Sequence, residues 1–320
     1  MTGFDSPIFT MDIVNYTIII PHKNTPDLLQ YCLDSIPVRE DVQVIVIDDK
    51  SDAEKVDFDH FPRWKGENYE YYLTKEGKGA GYARNVGLKH ACGKWVLFVD
   101  ADDFLLPCID VVFDDEKDTD ADIVFFRPHA VKLEDRTSNS RRADQYNRIV
   151  DSYFQNKEEY SLRCCWFSPC SRIFSLRLIR DNGILFDEIQ YSNDNLFSVR
   201  TGVSAKKIEV RDNSFYCITE STGSLTSDFL KKPRELQVRA DAFFRSQEVV
   251  QNHGFPIDKG YSLFLLRKLF NEDKDAFMLN FKRMQKMGYK KARLTQELFK
   301  THSPLSRIKR EVYIFIKLGI

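Results

Sequence analysis

The sequence predicts an α/β fold built on a mostly parallel sheet, because short apolar runs alternate with segments of helical character. The runs cover residues 16–20, 42–47 and 95–99, and the stretches between them carry apolar residues at helical spacing. A continuous apolar run is typical of a strand buried on both faces, which is usual in parallel sheets. Aspartates directly follow the second and third runs. Open α/β sheets bind ligands at the carboxyl ends of their strands, so these acids indicate a site at that edge.

The first half of the chain can be assigned element by element. The strand at 16–20 is ended by Pro21, and a helix follows with Thr25 as N-cap and Pro26 in its first turn. The strand at 42–47 ends in Asp48 and Asp49, and a further strand is expected at 69–73. A glycine loop over 77–81 then leads into a helix that reaches residue 91. This alternation is the pattern of a doubly wound parallel sheet.

Three carboxylates, Asp100, Asp102 and Asp103, stand directly beyond the strand at 95–99. They repel one another unless a cation lies among them, and oxygen-only ligands select a hard ion such as Mg²⁺ or Mn²⁺. Asp is also common in turns, so this pattern alone leaves a metal site and a polar turn as equal alternatives. The preceding glycine loop has neither the G-x-x-x-x-G-K-[ST] spacing of a phosphate loop nor a complete G-x-G-x-x-G.

Composition narrows the class of protein. With 320 residues and 42% hydrophobic side chains, the chain can bury a substantial core. Its 47 basic and 48 acidic residues give no nucleic-acid signature, so no nucleic-acid partner is expected. The seven cysteines form no C-x-x-C pair, which disfavours zinc and a disulfide framework and favours a reducing cytosol. No signal peptide and no membrane-spanning stretch is recognised, so a cytoplasmic protein, soluble or peripheral to the membrane, is predicted.

Four motifs in order carry a resemblance to a known family. They are I-I-I-P, V-I-D-D-K-S, G-A-G-Y-A-R-N-V-G-L and F-V-D-A-D-D. This set resembles the family 2 glycosyltransferases over about residues 16–225. The resemblance implies a GT-A fold, a Rossmann-like, mostly parallel sheet flanked by helices. It also implies inverting sugar transfer from a nucleotide sugar, expected to be a UDP-sugar, assisted by Mn²⁺ or Mg²⁺.

The resemblance also implies which residues form the donor site. The donor and nucleotide side would comprise Pro21, His22, Asn24, Asp49, Lys78, Arg84, Asp100, Ala101 and Asp102. Asp102 and Asp103 would approach the metal ion. Two departures from the family pattern lie near the nucleoside pocket: His22 begins an unusual H-K-N triplet, and Lys50 replaces the usual glycine after the aspartate pair.

The acceptor half is predicted over residues 107–228, with a helix at 108–114 and a strand at 122–126. Residues 132–148 are rich in charge, Ser and Asn, so they are interpreted as a solvated insertion or flexible loop. Trp166, Arg172 and Asn193 are candidates for contacts with the acceptor or a phosphate. Arg172 is nevertheless interpreted as an ordinary surface cation in preference to a phosphate clamp.

The match with the family assigns Asp194 as the catalytic base, with Asn193 where Glu is frequent. Asp194 stands at a predicted helix start, and neighbouring Phe197 and Tyr191 would partly desolvate it. Desolvation raises the pKa of a carboxylate and makes it a better proton acceptor. The alternative is that Asp194 or Ser192 merely caps the helix.

The domain prediction divides the chain into a leader at 1–15, a GT-A domain at 16–228 and a helical C-terminal region at 229–320. The nucleotide-binding half covers 16–106. A polar loop at 220–226 could lie over the diphosphate or form a plain turn. The amphipathic, basic stretch at 305–320 could dock on the protein itself, lie on an anionic membrane or mediate dimerisation.

The resemblance thus implies a hexosyl- or N-acetylhexosaminyl-transferase that acts on a glycan or lipid-linked acceptor in bacterial surface polysaccharide or lipid-linked glycan synthesis. Two alternatives remain open at this stage. One is a sugar-phosphate nucleotidyltransferase, although the segment 18–22 offers no glycine- and basic-rich phosphate loop. The other is a degenerate transferase that serves as a binding or scaffold subunit.

Overall fold

A computed structural model describes residues 14–64, 66–221 and 232–299 of the chain. The chain divides into two compact units, Met1–Ser227 and Asp228–Ile320. Most of the predicted leader, most of the polar loop at 220–226 and the amphipathic stretch at 305–320 lie outside the described residues.

The first unit alternates strands and helices from its beginning. In chain order, its elements are β1 (Tyr16–His22), α1 (Pro26–Asp34), β2 (Val42–Asp48), β3 (Tyr69–Leu73), α2 (Ala80–His90), β4 (Trp95–Phe98), β5 (Phe104–Leu105), α3 (Ile109–Glu116), β6 (Ile123–Phe126), β7 (His129–Lys132), α4 (Asp144–Asn156), α5 (Tyr160–Cys164), β8 (Arg172–Ser175), α6 (Leu176–Asp181), α7 (Asn195–Ser204), β9 (Ile208–Arg211) and β10 (Tyr216–Glu220).

A seven-stranded sheet with the order β3-β2-β1-β4-β8-β6-β9 forms the centre of this unit. β1, β2, β3 and β4 run parallel, and β8 runs antiparallel to both β4 and β6. The sheet is covered on both faces. Ile18 of β1 faces a core shared with α1 and α3, whereas its neighbour Ile19 faces a core shared with α2, α6 and α7. The predicted mostly parallel α/β sheet is therefore confirmed.

A small second sheet with the order β5-β10-β7 adjoins the acid-rich loop after β4. The interpretation of residues 132–148 as a solvated loop fits 133–142, which form exposed turns, and is wrong for 144–148, which begin α4. Val131 pairs with Asn139 across a turn, and α4 begins at Asp144. Tyr146 and Val150 of α4 pack against the core, and this helical spacing stabilises a segment that is otherwise polar.

The second unit is helical, with α8 (Pro233–Asn252), α9 (Lys259–Glu272), α10 (Lys274–Lys286) and α11 (Lys291–Phe299). Asp258 and Asp273 cap α9 and α10, since their side chains accept backbone hydrogen bonds in the first turns. Aromatic residues such as Phe244 and Phe277 are buried, so the predicted aromatic stripe packs inside this unit. Within the described parts of both units, the helices are too short or too polar to cross a bilayer.

Candidate active site

The carboxyl ends of β1, β2 and β4 bring the predicted donor residues to one edge of the sheet. β1 lies between β2 and β4, so its last residue, His22, stands opposite Asp48. The loop after β4 carries Asp100 to the same edge, because β4 runs parallel to β1. The parallel topology thus assembles one crevice from segments that are distant in the sequence.

His22 connects the end of β2 with the loop that precedes α1. Its ring is 2% exposed; Nδ1 lies 2.7 Å from Oδ2 of Asp48, and Nε2 accepts the backbone N–H of Thr25. With both nitrogens engaged, the ring offers no free polar atom to a nucleotide. Asn24 adds a second connection, because its Oδ1 accepts from the N–H of Asp52 at 2.8 Å. Pro21, inside β1, is buried in the sheet.

Asp49 connects the β2 loop to the start of α2. Its Oδ2 atom accepts the backbone N–H of Gly79 at 2.7 Å and lies 3.6 Å from Nζ of Lys23. Lys78, beside it, is half-exposed and pairs with Glu188 at 3.7 Å. The preceding residue of the loop, Gly77, has a φ of +66°.

The motif residues of α2 are explained by how closely this helix approaches its neighbours. A Cβ atom at Gly81 would lie 2.1 Å from the carbonyl oxygen of Asp187, so only glycine allows this contact. Asn85 exchanges two hydrogen bonds with the backbone of Phe186, at 3.0 and 2.9 Å. These contacts fix the segment that leads to Asn193 against the donor half.

Arg84 bridges the two sides of the crevice. Its buried guanidinium donates to Oδ1 of Asp100 at 2.5 Å and to Oδ1 of Asn193 at 3.0 Å, and it lies over the ring of Phe186. A planar guanidinium with several donors is suited to hold two acceptors at once. The acid loop and the loop that precedes Asp194 are therefore joined through one side chain.

The three acids after β4 form a cluster, in which one oxygen atom from each of Asp100, Asp102 and Asp103 lies within 4.8 Å of the others. Asp103 is buried, and both of its oxygens accept protein donors: the hydroxyl of Tyr216 at 2.6 Å and the backbone N–H of Thr219 at 2.7 Å. Tyr216 also accepts the N–H of Asp100. Asp103 thus holds the acid loop against β10.

The side chain of Asp102 is exposed to solvent at the rim of this cluster. The loss of surrounding water in the crevice, together with the neighbouring charge of Asp100, raises the pKa of Asp102 to about 6. Burial and the neighbouring charges of Asp102 and Asp100 raise the pKa of Asp103 well above its ordinary value. Converging acids with raised pKa values favour a bound cation, and an all-oxygen donor set suits Mg²⁺ or Mn²⁺. The residues present therefore fit a hard divalent ion; Ala101 contributes only a buried loop position.

Asp194 lies across the crevice at the N-cap of α7, and its side chain makes no capping hydrogen bond. This disfavours the alternative in which Asp194 serves only as a cap. Ser192, two residues earlier, has a φ of +54°, which is rare for a residue other than glycine and marks a constrained turn. Asp194 interacts electrostatically with Arg84 and with Tyr146 of α4.

Two candidates for acceptor contacts are corrected by their burial. Trp166 is 1% exposed and packs on Phe125 and Tyr146, so it offers no surface to an acceptor. Arg172 is wholly buried on β8, and its interpretation as a surface cation is wrong. Both faces of β8 are covered, since Ile173 and Phe174 belong to opposite cores, and Arg172 shares the face of Phe174.

Sequence reasoning missed Tyr216 and Tyr146, because their roles depend on residues far away in the chain. Tyr216 lies 113 positions from Asp103, and the sequence around it indicated only a short strand. Arg142 lies in an exposed turn, as predicted, and its charge acts on both Asp102 and Tyr146.

A family model described as "Glycosyl transferase family 2" matches residues 17–179, slightly more than half of the chain. The chain belongs to glycosyltransferase family 2. The resemblance predicted from the four motifs is therefore confirmed, as is the assignment to the glycosyltransferases.

Relatives of this family 2 chain include a poly(ribitol-phosphate) beta-glucosyltransferase from Bacillus spizizenii, 28% identical over 65% of the chain and 32% of the relative. A second is the poly(ribitol-phosphate) beta-N-acetylglucosaminyltransferase TarS from Staphylococcus aureus, 25% identical over 70% of the chain and 39% of the relative. The matched region thus spans between about a third and two-fifths of the length of these relatives.

Solved structures extend the fold comparison of this family 2 chain. The S. aureus TarS 1–349 complex with UDP-GlcNAc aligns with a TM-score of 0.56 and 21% identity, covering 89% of this chain and 83% of that one. The mannosyltransferase PcManGT from Pyrobaculum calidifontis, in complex with GDP-Man and Mn²⁺, gives a TM-score of 0.51 and 15% identity over 94% and 80% of the two chains. At these identities the comparison shows the fold, and the predicted GT-A fold is confirmed.

Proposed function

We propose that this chain transfers a hexosyl or N-acetylhexosaminyl group from a UDP-sugar to an acceptor hydroxyl, with inversion and with the help of a divalent ion. The acceptor is proposed to be a cell-surface glycan, in keeping with the poly(ribitol-phosphate) acceptors in the names of two relatives. UDP-GlcNAc bound to a protein of the same fold supports the choice of UDP.

The bridge made by Arg84 carries this proposal. It holds Asp100 of the acid cluster and Asn193, the neighbour of Asp194, on one guanidinium. Inverting transfer requires a leaving-group site and a base on opposite sides of one anomeric carbon. The two sides of this crevice carry the corresponding groups: acids that suit a metal ion, and a carboxylate that makes no capping bond.

The proposed reaction is a single displacement. The acceptor oxygen attacks the anomeric carbon as Asp194 takes the hydroxyl proton, and the bond from that carbon to the diphosphate oxygen breaks. Because attack and departure occur on opposite faces, the configuration inverts. The cluster of Asp100, Asp102 and Asp103 would hold a divalent ion, whose charge would stabilise the leaving diphosphate. Arg84 positions the acid loop relative to Asp194.

Asp194→Asn tests the role of the base. We expect kcat to fall by about 10³-fold or more, because proton removal is lost, while UDP affinity in the presence of Mn²⁺ stays close to wild type. Transfer is measured by UDP release, and binding by calorimetry. Asp181→Asn, which alters an exposed acid of α6, is the matched control and should leave both unchanged. Transfer at the wild-type rate in Asp194→Asn contradicts the assignment.

A donor panel separates this function from the alternatives. UDP-glucose, UDP-GlcNAc and GDP-mannose are incubated with Mn²⁺ and a polyol-phosphate or polysaccharide acceptor. We expect transfer from a UDP-sugar and none from GDP-mannose. Nucleotide-sugar synthesis from a sugar phosphate and UTP would favour a nucleotidyltransferase. Tight UDP binding without turnover of any donor would favour a binding subunit.

A further inference from the structure

Within the described part of the chain, the guanidinium of Arg172 is buried and donates hydrogen bonds to no carboxylate. It lies between two aromatic rings, with Cζ 5.4 Å from the centroid of Phe125 and 4.8 Å from that of Phe174. Nη2 donates to two neutral oxygens, the carbonyl of Ser168 and, at 2.8 Å, the hydroxyl of Ser198. Nε and Nη1 have no hydrogen-bond partner among the described residues. Burial lowers the pKa of Arg172 to about 9, so it remains cationic at neutral pH.

Packing alone does not account for this cation. Burying a charge without a bonded counter-charge costs free energy, and an apolar side chain of similar length would occupy the same space at a lower cost. The rings of Phe125 and Phe174 recover part of that cost through cation–π contact. A methionine at this position should therefore stabilise the fold about as well as Arg172 does.

Arg172 is connected to the helix that carries Asp194. The hydroxyl of Ser198 accepts from Arg172 and donates to the carbonyl of Phe167 at 2.9 Å. The backbone N–H of Ser198 donates to the carbonyl of Asp194 at 2.9 Å, in the first turn of α7. The guanidinium thus fixes the first turn of α7, and Asp194 is among the charges that interact with it.

Other groups also face Asp194 and must be considered. Arg84 of α2 presents a second cation, and Tyr146 of α4 presents a phenol. Cys170 and Asp100 interact electrostatically with Arg84, the cation that also interacts with Asp194. Arg84 is hydrogen-bonded to Asp100, which neutralises much of its charge. Because Arg172 is wholly buried and bonds to no carboxylate of residues 14–64, 66–221 and 232–299, its field is weakened less by its neighbours.

We propose that Arg172 is a positioning residue for Asp194, which holds the first turn of α7 in place and keeps the Asp194 carboxylate ionised and ready to accept a proton. This inference rests on the proposed function, in which Asp194 is the base. An opposite charge near a carboxylate favours its ionised form, so the removal of Arg172 should make Asp194 harder to ionise.

The test compares the pH dependence of kcat in wild type, Arg172→Met and Arg172→Lys, at saturating donor, acceptor and Mn²⁺. Saturating metal is needed because the pKa of Asp102 is raised to about 6, so that protons would otherwise compete with the metal ion for this carboxylate. For Arg172→Met we expect the acid limb to move up by about one pH unit, which is about a tenfold lower kcat along that limb. Arg172→Lys keeps the charge and should keep the acid limb near its wild-type position.

Arg163→Met is the matched control. Arg163 is also buried, but it donates to the carbonyls of Gly202 and Ala205 at the opposite end of α7, at 2.8 and 2.6 Å. A purely structural role of Arg172 predicts that Arg163→Met and Arg172→Met disturb α7 alike, with reduced kcat and no shift of the limb. Our inference predicts a shift in Arg172→Met alone, with unchanged or increased resistance to urea.

An acid limb at the wild-type position in Arg172→Met, or an equal shift in Arg163→Met, would overturn the inference. Arg172→Gln, which also removes the charge, replaces the methionine variant if that variant does not fold. Asp194→Asn distinguishes a failure of the proposed base from a failure of the proposed role of Arg172. If Asp194→Asn still transfers sugar, the base assignment itself fails; if it is inactive and Arg172→Met is unshifted, only the role of Arg172 fails.

Discussion

The contact between Arg84 and Asp100 is open to direct energetic measurement. Arg84 is 5% exposed, whereas 37% of the Asp100 side chain remains accessible to water. A hydrogen bond to a charged group contributes about 1.5–3 kcal/mol, and the exposure of Asp100 places this pair in the lower half of that range. We therefore expect a coupling free energy of about 2 kcal/mol between the two side chains.

A double-mutant cycle with Arg84→Met and Asp100→Ala isolates this coupling. Arg84→Met also loses the bond to Asn193, worth about 1 kcal/mol, but it removes the cost of burying a guanidinium. We expect its net loss of unfolding free energy to be about 1–2 kcal/mol, smaller than the sum of its contacts. The cycle cancels these additional effects and leaves the pairwise contribution.

Urea unfolding followed by tryptophan fluorescence is the appropriate assay. All three tryptophans, Trp64, Trp95 and Trp166, belong to the first unit, so the signal reports that unit and not the helical one. A coupling below about 0.5 kcal/mol would mean that the ion pair contributes no more than an exposed surface pair, and the view of Arg84 as a fixed bridge would be refuted.

Three further changes should have measurable effects. The affinity for Mn²⁺, measured by calorimetry, should weaken about tenfold between about pH 7 and about pH 5, because protons compete with the metal ion for Asp102, whose pKa is about 6. An equally strong pH dependence of Mn²⁺ affinity in Asp102→Asn would contradict this cause. Gly81→Ala should lower the unfolding free energy by about 1–3 kcal/mol, because its Cβ would meet the Asp187 carbonyl at 2.1 Å. Gly260→Ala, whose Cβ would lie 3.6 Å from Oδ1 of Asp258, should be nearly neutral in urea unfolding. Lys50→Gly should raise the unfolding free energy by about 0.5 kcal/mol, because Lys50 has a φ of +59°; a loss of stability would show that the lysine side chain outweighs its backbone strain.

The sequence was informative where function depends on local pattern. Apolar runs that end in acids predicted β2, β4 and the edge at which Asp49 and Asp100 lie, because strand burial and strand order follow from periodicity and chain direction. Lys50 stands where glycine is usual in the family. Its left-handed backbone is a conformation that glycine adopts at a lower cost than other residues do.

The sequence was less informative where a side chain meets partners from other elements. Arg172 is interpreted from the sequence as a surface cation, whereas Phe125 of the paired strand β6 contacts it and helps to bury it. The helix α4 was hidden for a related reason. Its apolar residues Tyr146 and Val150 have helical spacing, but the charged residues just before them, Arg141, Arg142 and Asp144, resemble those of a loop.

The bridging contacts of the crevice have a consequence for how the protein forms. Arg84 and Asn193 lie 109 positions apart, and Thr219 closes on Asp102 from 117 positions away. Contacts that are so distant in the chain form slowly, because the intervening loop must first be ordered. During synthesis, the nucleotide-binding half therefore emerges from the ribosome long before the residues that complete its acid loop. In refolding, native tryptophan fluorescence should return before the capacity to bind UDP.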